Sequence, residues 1–297
     1  MRIFMTGGTS GIGQVAARRL LDQDGVDLLL AARRPQAAPA DVGRATLVAM
    51  DLADLASVRQ GADQVLAGPP LDALVLNAGL QVQTAQKTRD GFETTFAVNH
   101  LAHYLLLRML LPHLAPNARV ILTASGTHNP DEKTGMPAPY HANAQWLAFP
   151  ETDPQRDPKP AQAGRRAYST SKLCNVMTAR EAVVRTAQAR PDLTILAFDP
   201  GFTPGTGLAR EYPAALRFVF RRILPHLPIL GARQSTPDIS GRYLADLALG
   251  VSAVESGAYM AVHGKRLIAK APSALAQDAE KAAALWNDSA QLTGLLP

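Results

Sequence analysis

The sequence contains little cysteine and few aromatic side chains. Cys174 is the one cysteine among 297 residues, and Phe, Trp and Tyr together make up 5% of the chain. A lone cysteine excludes an internal disulfide and a cysteine-based zinc cluster. Its free thiol suits a reducing compartment, so we expect a cytoplasmic protein. Cys174 itself has two interpretations, a small buried core residue or a proton donor.

Long apolar runs and long runs of basic residues are also missing. No run of about eighteen apolar residues occurs, so we expect no membrane-spanning helix. A strand-like run begins at Arg2, and we expect no signal peptide. No cluster of about five or more Lys and Arg occurs, which argues against nucleic-acid binding. The net charge of +5 fits either a solvated surface or an anionic ligand.

The composition and the order of apolar segments indicate one globular α/β domain. Hydrophobic residues make up 47% and charged residues 19%, so the chain can bury a sizeable core. Short apolar runs alternate with helical patterns, as in a parallel sheet covered by helices on both faces. We therefore predict a single doubly wound Rossmann-type domain over residues 1–297 with a central parallel sheet. The predicted strands cover residues 2–5, 26–33, 45–52, 71–79, 118–125 and 193–201. The predicted helices cover residues 13–22, 57–68, 91–114 and 167–187.

Two stretches break this alternation. Residues 126–166 form a long, proline-rich and polar insert, and segments of that length in compact domains are usually functional or disordered. Residues 204–231 are apolar, aromatic and basic at once. We predict that they form a cap helix over a pocket. The alternative is contact with a membrane surface through residues 216–230.

A glycine-rich segment follows the first predicted strand directly. It reads TGGTSGIG from Thr6 to Gly13. A strand, a glycine-rich turn and a helix in this order form a nucleotide-binding crossing, in which backbone N–H groups and the helix dipole face a pyrophosphate. The sequence therefore predicts a dinucleotide site. Its candidate residues are Thr6, Gly7, Thr9, Ser10, Gly11, Ile12 and Gly13.

Further motifs follow in order along the chain. They are NAG at residues 77–79, Asn99 in VNHLAHYL, Ser125 at the end of VILTAS, Tyr168 and Lys172 in YSTSK, and Pro200 and Gly201 in DPGFTPGTGL. Together with the TGxxxGxG segment they resemble the short-chain dehydrogenase/reductase family over nearly the whole chain. The long insert before Tyr168 and the tail resemble the branch that contains light-dependent protochlorophyllide reductases and retinol dehydrogenase-like enzymes.

Tyr168 and Lys172 carry the predicted chemistry. Their i, i+4 spacing places both on one face of a helix. A nearby ammonium favours a phenolate, so Lys172 is expected to lower the pKa of Tyr168 from its ordinary value near ~10 and allow proton exchange near neutral pH. The resemblance implies that Lys172 also holds the nicotinamide ribose, that Ser125 hydrogen-bonds the substrate oxygen, and that Asn99 holds a water of the proton relay. Ser125 as a strand-end cap and Asn99 as a partner of helix backbone are the simpler roles.

The end of the second predicted strand indicates which dinucleotide binds. An acidic residue there would bind the 2′-hydroxyl of NAD, but Ala32 occupies that place and Arg33 and Arg34 follow. Arginine fits a 2′-phosphate bidentately, so we predict NADP(H), with ordinary surface charge as the alternative. The resemblance adds further cofactor-binding residues: Asp51, Leu52, Asn77, Ala78, Gly79, Tyr168, Lys172, Pro200, Gly201, Thr203 and Thr206. Asp51 as a helix N-cap is the simpler role.

The resemblance implies hydride transfer between a nicotinamide and a small-molecule substrate. We expect a carbonyl or alcohol on a bulky apolar molecule, with Tyr168 as general acid and base. The alternatives are reduction of a ring C=C bond, as in protochlorophyllide reductases, and an NADPH-binding sensor without turnover. Met260, Ala261 and Val262 stand where protochlorophyllide reductases are rich in tryptophan, which argues against a chlorophyll precursor. We expect a monomer or a homodimer.

Two smaller patterns have more than one interpretation. His100 and His103 are spaced i, i+3 on the helix of Asn99, but no third ligand is apparent and we predict no metal. The insert contains aromatic side chains that either line the substrate mouth or anchor the insert on the domain. They are Tyr140, His141, Trp146 and Phe149.

Overall fold

A computed structural model describes residues 1–82, 84, 86–203 and 234–296. Its strands are β1 (Arg2–Thr6), β2 (Asp27–Ala32), β3 (Thr46–Ala49), β4 (Leu71–Leu76), β5 (Leu114–Thr123), β6 (Thr194–Asp199), β7 (Tyr259–His263) and β8 (Arg266–Lys270). In this part of the chain they form one sheet in the order β3-β2-β1-β4-β5-β6-β7-β8. Neighbouring strands are parallel except β7 and β8, which are antiparallel. The predicted doubly wound α/β architecture is confirmed.

The helices connect successive strands. They are α1 (Gly11–Leu21), α2 (Leu55–Leu66), α3 (the consecutive segments Thr94–Phe96, Ala97–Leu101 and Ala102–Leu110), α4 (Ala144–Ala148), α5 (Pro160–Thr186), α6 (Pro237–Leu249) and α7 (Ala279–Leu292). One-turn 3₁₀ helices lie at Pro35–Ala37, Ala40–Val42, Leu111–His113, Gly126–His128, Pro130–Glu132, Pro150–Thr152 and Leu275–Gln277.

The sheet buries both of its faces. Side chains alternate along β1, so Ile3 and Met5 enter one apolar cluster with α1 and α6. Phe4 enters the other cluster, with α2, α3, α5 and α7. Full burial of each such side chain contributes about 1.5–3 kcal/mol. These near-continuous apolar strands are therefore stable only inside a three-layer arrangement, which is why the strand pattern predicted the fold class.

Two helices differ from their predicted form. The middle segment of α3, Ala97–Leu101, is π-helical and contains Asn99. Helix α5 begins at Pro160 and not at residue 167, because proline suits the first helical turn, where its missing N–H has no helical acceptor. The insert therefore ends at Lys159. Within it, His141 Nε2 lies 3.0 Å from Asp153 Oδ2.

The sequence patterns did not predict β7, β8, α6 and α7. β7 and β8 have only five residues each and form a hairpin at the edge of the sheet. The predicted cap helix at residues 204–231, the predicted membrane-surface segment and Thr206 lie outside the described residues. No helix among the described residues is long and apolar enough to cross a membrane.

Candidate active site

A cleft opens at the carboxyl ends of the parallel strands. β1 pairs with β2 on one side and with β4 on the other, so the chain reverses its strand order at β1. Such a switch point leaves a crevice between the loops that follow the two strands. The cleft has a volume of about 720 Å³ and is lined by loops after β1, β2, β3, β4, β5 and β6 together with residues of α5, β7 and β8. It is large enough for a dinucleotide and part of a substrate.

The glycine loop is shaped by close backbone contacts. Gly7 has a φ of +71°, and a Cβ there would lie 2.7 Å from the Cα of Ala78. A Cβ on Gly13 would overlap the carbonyl oxygen of Gly7 and lie 2.7 Å from Asn77 Nδ2. These glycines therefore let the loop fold against the end of β4 and leave its N–H groups bare at the start of α1, a geometry that fits a pyrophosphate. The cleft-lining members of the loop are Gly7, Thr9, Ser10, Gly11, Ile12 and Gly13.

Thr6 lies buried next to this loop and stabilises it through hydrogen bonds. Its side chain is fully buried, and Thr6 does not belong to the residues that line the cleft in the described part of the chain. Its Oγ1 accepts hydrogen bonds from Asn77 N at 2.9 Å and Ala78 N at 3.0 Å. Asn77 Nδ2 in turn donates to the Gly7 carbonyl at 3.3 Å. Thr6 thus joins the ends of β1 and β4 and acts on the site through the backbone.

At the predicted adenine end, the two arginines differ in position. Arg33 lines the cleft together with Asp51 and Leu52, whereas Arg34 is exposed outside the lining. Asp51 is not the N-cap of α2, because Asp54 fills that role by accepting from Ala56 N at 3.0 Å. The Asp51 carboxylate instead accepts from Ala53 N at 3.0 Å within its own turn. Of the two predicted arginines, Arg33 is therefore the one that borders the cleft.

Tyr168 and Lys172 lie side by side on α5 at the centre of the cleft lining. Tyr168 is 7% exposed and Lys172 is 3% exposed. Lys172 Nζ donates to the Thr123 carbonyl at 3.0 Å and lies 5.8 Å from the centroid of the Tyr168 ring. Burial lowers the pKa of Lys172 to about 8, and the charge of Asp199 acts in the opposite direction. The ammonium is thus held within reach of the phenol that it is expected to polarise.

Asn99 lies behind the cleft wall and not in the lining of the described residues. Its carboxamide accepts from Leu80 N at 2.8 Å and donates to the Leu80 carbonyl at 2.9 Å and to Ser171 Oγ at 3.0 Å. A Cβ on Gly79 would lie 3.3 Å from Lys172 Nζ and 3.5 Å from Asn99 Oδ1. Because Gly79 has no side chain, Lys172 on α5 and Asn99 on α3 can both approach the loop after β4.

Ser125 combines the two roles that the sequence left open. It is the N-cap of the turn Gly126–His128, and its Oγ accepts from Thr127 N at 3.3 Å. It also lines the cleft together with Tyr168. The Ser125 carbonyl accepts from His128 Nδ1 at 2.7 Å, which fixes the turn beneath it.

The loop after β6 is held by a buried acid that the motif analysis missed. Asp199 Oδ1 accepts from Gly201 N at 2.8 Å, and Asp199 Oδ2 accepts from the Tyr259 hydroxyl at 2.9 Å. Burial raises the pKa of Asp199 despite these two donors. Pro200, Gly201 and Thr203 line the cleft. The sequence shows Asp199 as a charged residue inside the apolar run LTILAFDPG, which could have indicated a role. Its hydrogen-bond partner Tyr259, however, lies 60 residues away in the chain.

The insert aromatics anchor the insert and do not line the cleft in the described residues. The Phe149 ring packs edge-on against Phe92, with ring centroids 5.6 Å apart. The Arg166 guanidinium lies 3.6 Å from the centroid of the Tyr140 ring, and Arg166 Nε lies 2.6 Å from Asp157 Oδ2. Side chains outside the predicted motifs, both polar and apolar, also line the cleft. They include Gln81, Thr127, Glu132, Thr134, Met136, Arg165, His263 and Lys270.

Cys174 and His100 point into the protein interior. Cys174 is fully buried, and burial raises the pKa of its thiol, which favours the core interpretation over a proton donor. His100 Nε2 lies 2.9 Å from Ser289 Oγ on α7. Among the described residues, no group of three or more His, Cys, Asp or Glu is placed to hold a metal.

The geometry can hold a dinucleotide and transfer a proton. The glycine cradle, Arg33 and the loop after β6 surround one elongated cleft. Tyr168 and Ser125 both border this cleft, and a phenol is a group that can exchange a proton with a bound substrate.

Comparison with known proteins agrees with this geometry. Residues 1–142 match the family model of short chain dehydrogenases. The chain is 32% identical over 316 aligned residues to protochlorophyllide reductase A of Oryza sativa subsp. japonica, covering 99% of the chain and 81% of that protein. The pea enzyme, protochlorophyllide reductase of Pisum sativum, is also 32% identical, with 99% and 78% covered. An uncharacterized protein of Mycobacterium paratuberculosis superposes with a TM-score of 0.70 at 28% identity, covering 99% of this chain and 94% of that chain.

Proposed function

The chain belongs to the short-chain dehydrogenase/reductase family, and from this premise we propose that it is an NADP(H)-dependent oxidoreductase that uses Tyr168 as its general acid and base. The observation that carries the proposal is the buried Lys172 ammonium 5.8 Å from the Tyr168 ring in the cleft that the glycine cradle opens. A sensor that only binds a dinucleotide has no need for this pair.

The roles of the chain's own residues follow from their positions. The N–H groups of the glycine loop and the start of α1 would hold the pyrophosphate, and Arg33 would hold the ribose 2′-phosphate. Lys172 and the backbone of the loop after β6 would hold the nicotinamide end. When bound, the dinucleotide supplies or accepts the hydride.

Proton transfer is the step assigned to the side chains. Tyr168 donates its phenolic proton to the substrate in reduction and accepts it in oxidation, and Ser125 orients the substrate oxygen. The Lys172 ammonium stabilises the phenolate that remains. Because both residues are buried, their interaction is stronger than between the same groups in water.

Our first candidate for the substrate is a carbonyl or alcohol on a bulky apolar molecule. A second candidate is a molecule in which a ring C=C bond is reduced. The protochlorophyllide reductases, which align with 99% of the chain, support this candidate. We propose further that the protein acts in the cytoplasm as a monomer or homodimer; light scattering on the purified protein would determine the oligomeric state.

Fluorescence titration with NADPH and NADH tests the cofactor assignment. We expect NADPH to bind more tightly, and Arg33→Ala to weaken NADPH binding about 10-fold or more while NADH binding is unchanged, because a charged hydrogen bond is worth about 1.5–3 kcal/mol. Arg34→Ala is the matched control, since Arg34 lies outside the cleft lining. A preference for NADH, or equal effects of the two variants, would contradict the assignment.

A substrate screen separates the two candidate reactions. Aldehydes, ketones and quinones would be assayed with NADPH in the dark, and protochlorophyllide with NADPH in the dark and in light. Dark turnover of a carbonyl supports the first candidate, and loss of protochlorophyllide in light supports the second. Tight NADPH binding with no turnover in either assay would favour the sensor.

A further inference from the structure

His103 is a buried side chain that the proposed mechanism does not use. It is 1% exposed and lies on the α-helical end of α3, one turn after Asn99. Its Nε2 is 3.0 Å from Thr6 Oγ1, and its Nδ1 is 3.0 Å from the Asn99 carbonyl oxygen. It therefore stands between the strand that carries the glycine loop and the helix that carries Asn99.

The hydrogen bonds of Thr6 determine the direction of its own proton. A hydroxyl has two acceptor positions and one donor. Thr6 Oγ1 already accepts from Asn77 N at 2.9 Å and from Ala78 N at 3.0 Å. Both acceptor positions are thus filled, and the Thr6 proton points to His103 Nε2. That nitrogen must be unprotonated to accept it.

The other ring nitrogen of His103 must then carry a proton. Its neighbour is the Asn99 backbone carbonyl, which can only accept. The neutral ring protonated on Nδ1 is the form that satisfies both contacts. Burial, together with the nearby Lys172 charge, lowers the pKa of His103 to about 3, so the ring stays neutral at physiological pH.

Further hydrogen bonds connect the side chain of Asn99 to Tyr168. Asn99 Nδ2 donates to Ser171 Oγ at 3.0 Å, and Ser171 Oγ donates to the Tyr168 carbonyl at 2.7 Å. The segment around Asn99 is π-helical, and such turns are uncommon and often occur at functional sites. Contacts from outside the helix therefore help to fix where Asn99 stands.

We propose that His103 is a positioning residue. It fixes Asn99 relative to the loops at the ends of β1 and β4, and through Ser171 it also fixes the turn of α5 that carries Tyr168. It does so as a neutral ring that accepts from Thr6 and donates to Asn99. The catalytic part of this proposal rests on the proposed function, whereas the tautomer of His103 and the hydrogen bonds between Thr6, His103, Asn99, Ser171 and Tyr168 do not.

Two-bond ¹H–¹⁵N NMR on the full ¹⁵N-labelled chain tests the tautomer directly. The His103 signals are assigned by their loss in His103→Gln. We expect a protonated Nδ1 and an unprotonated Nε2 whose shifts stay constant between about pH 5.5 and 8, because the pKa is far below this window. An Nε2-protonated ring, or titration near the ordinary histidine pKa, would overturn the proposal whether or not the protein is an enzyme.

Variants at both ends of His103 test positioning. We expect His103→Gln to lower kcat about 10- to 100-fold with little change in NADPH affinity, since displaced reacting groups lose rate in that range. Thr6→Val removes the bond to His103 together with the acceptor of Asn77 N and Ala78 N, so it should lower both kcat and NADPH affinity. Thr6→Ser keeps the hydroxyl and should restore kcat. His100→Gln is the matched control, because His100 is equally buried on α3 but bonds Ser289.

The outcomes remain distinct if a variant misfolds or no substrate is found. When His103→Gln does not fold, Thr6→Val is compared with Thr6→Ser, which keeps the three hydrogen bonds of the hydroxyl that Thr6→Val removes. In the absence of turnover, the side-chain amide signals of Asn99 are the readout, and we expect them to exchange faster in Thr6→Val than in Thr6→Ser. Wild-type kcat or wild-type Asn99 exchange in Thr6→Val would refute the positioning role.

Discussion

Lys172 is a residue whose charge is set by burial. Its pKa is lowered to about 8, mainly by burial, and Asp199 opposes that effect. The cation predominates below about pH 8, and its fraction falls as the pH rises through that value. Loss of the cation leaves the Tyr168 phenolate without its stabilising charge.

We therefore expect the reduction rate to fall as the pH rises through about 8, with Lys172 as the group responsible. In Asp199→Asn the fall should begin at lower pH, because the variant removes the negative charge that favours the ammonium. A pH profile of kcat measures both. Asp192→Asn is the control, since Asp192 pairs with Arg190 away from the cleft. An unshifted profile in Asp199→Asn would contradict the coupling.

His100 and His103 link burial to the stability of the fold. Burial lowers the pKa of each to about 3. The unfolded chain binds these protons near pH ~6.5, whereas the folded chain does not bind them until about pH 3. Their contribution to stability is complete above pH ~6.5 and is lost as the pH falls toward 3.

Denaturant unfolding between about pH 6.5 and 4 tests this linkage. Each histidine should make the free energy of unfolding fall by about 1.4 kcal/mol per pH unit in the middle of this window. His103→Gln should have a shallower slope than the wild type, even though it is less stable at pH 7. His113→Gln is the control, because His113 lies near the surface and bonds the Gly68 carbonyl. Equal slopes in the wild type and His103→Gln would show that His103 is not buried neutral.

At the residue scale, the sequence motifs predicted residues that border the cleft better than the buried side chains behind them. Tyr168, Lys172 and Ser125 were predicted from spacing and order, and the structure places them around one cleft. The hydrogen bond from Thr6 to His103 spans 97 positions in the chain, and a local pattern holds no signal for it. The same is true of Asp199 and Tyr259.

At the scale of elements, the glycine loop is the feature most sensitive to added volume. Gly13→Ala would push a Cβ into the Gly7 carbonyl. We expect this overlap to cost about 1–3 kcal/mol, which corresponds to about 5- to 150-fold weaker NADPH binding if the loop opens to relieve it. Fluorescence titration measures the loss.

Gly25→Ala is the matched control for Gly13→Ala. Gly25 has a φ of +75° but nothing within 4 Å of its Cβ position. This variant should lose stability through backbone strain of about 1 kcal/mol and bind NADPH like the wild type. Wild-type NADPH affinity in Gly13→Ala would mean that the loop does not need its bare backbone.

Strands were predicted more reliably than helix boundaries. The apolar runs predicted β1 to β6 because buried parallel strands need apolar side chains on both faces. α5 begins seven residues before its predicted start, because residues 160–166, PAQAGRR, show no apolar stripe. The π-helical turn in α3 depends on tertiary contacts of Asn99 and has no periodicity of its own.

At the scale of the whole molecule, the cleft combines the predicted strands with a tail that the sequence patterns did not predict. The edge hairpin of β7 and β8 carries Tyr259 against Asp199 and also contributes His263 and Lys270 to the cleft lining. The insert packs on the domain through Phe149 and Arg166. Such contacts depend on the assembled fold, and the sequence alone could predict the insert only as an interruption.

The central claim is that the cleft is a catalytic site in which Tyr168 transfers a proton. The most direct test is NADPH oxidation by Tyr168→Phe with any carbonyl, quinone or ring substrate that the wild type reduces, measured together with NADPH affinity. Tyr140→Phe is the control, because Tyr140 is 51% exposed outside the cleft lining. We predict that Tyr168→Phe loses about 100-fold or more in turnover and binds NADPH like the wild type. Turnover in Tyr168→Phe equal to that of the wild type would contradict the account.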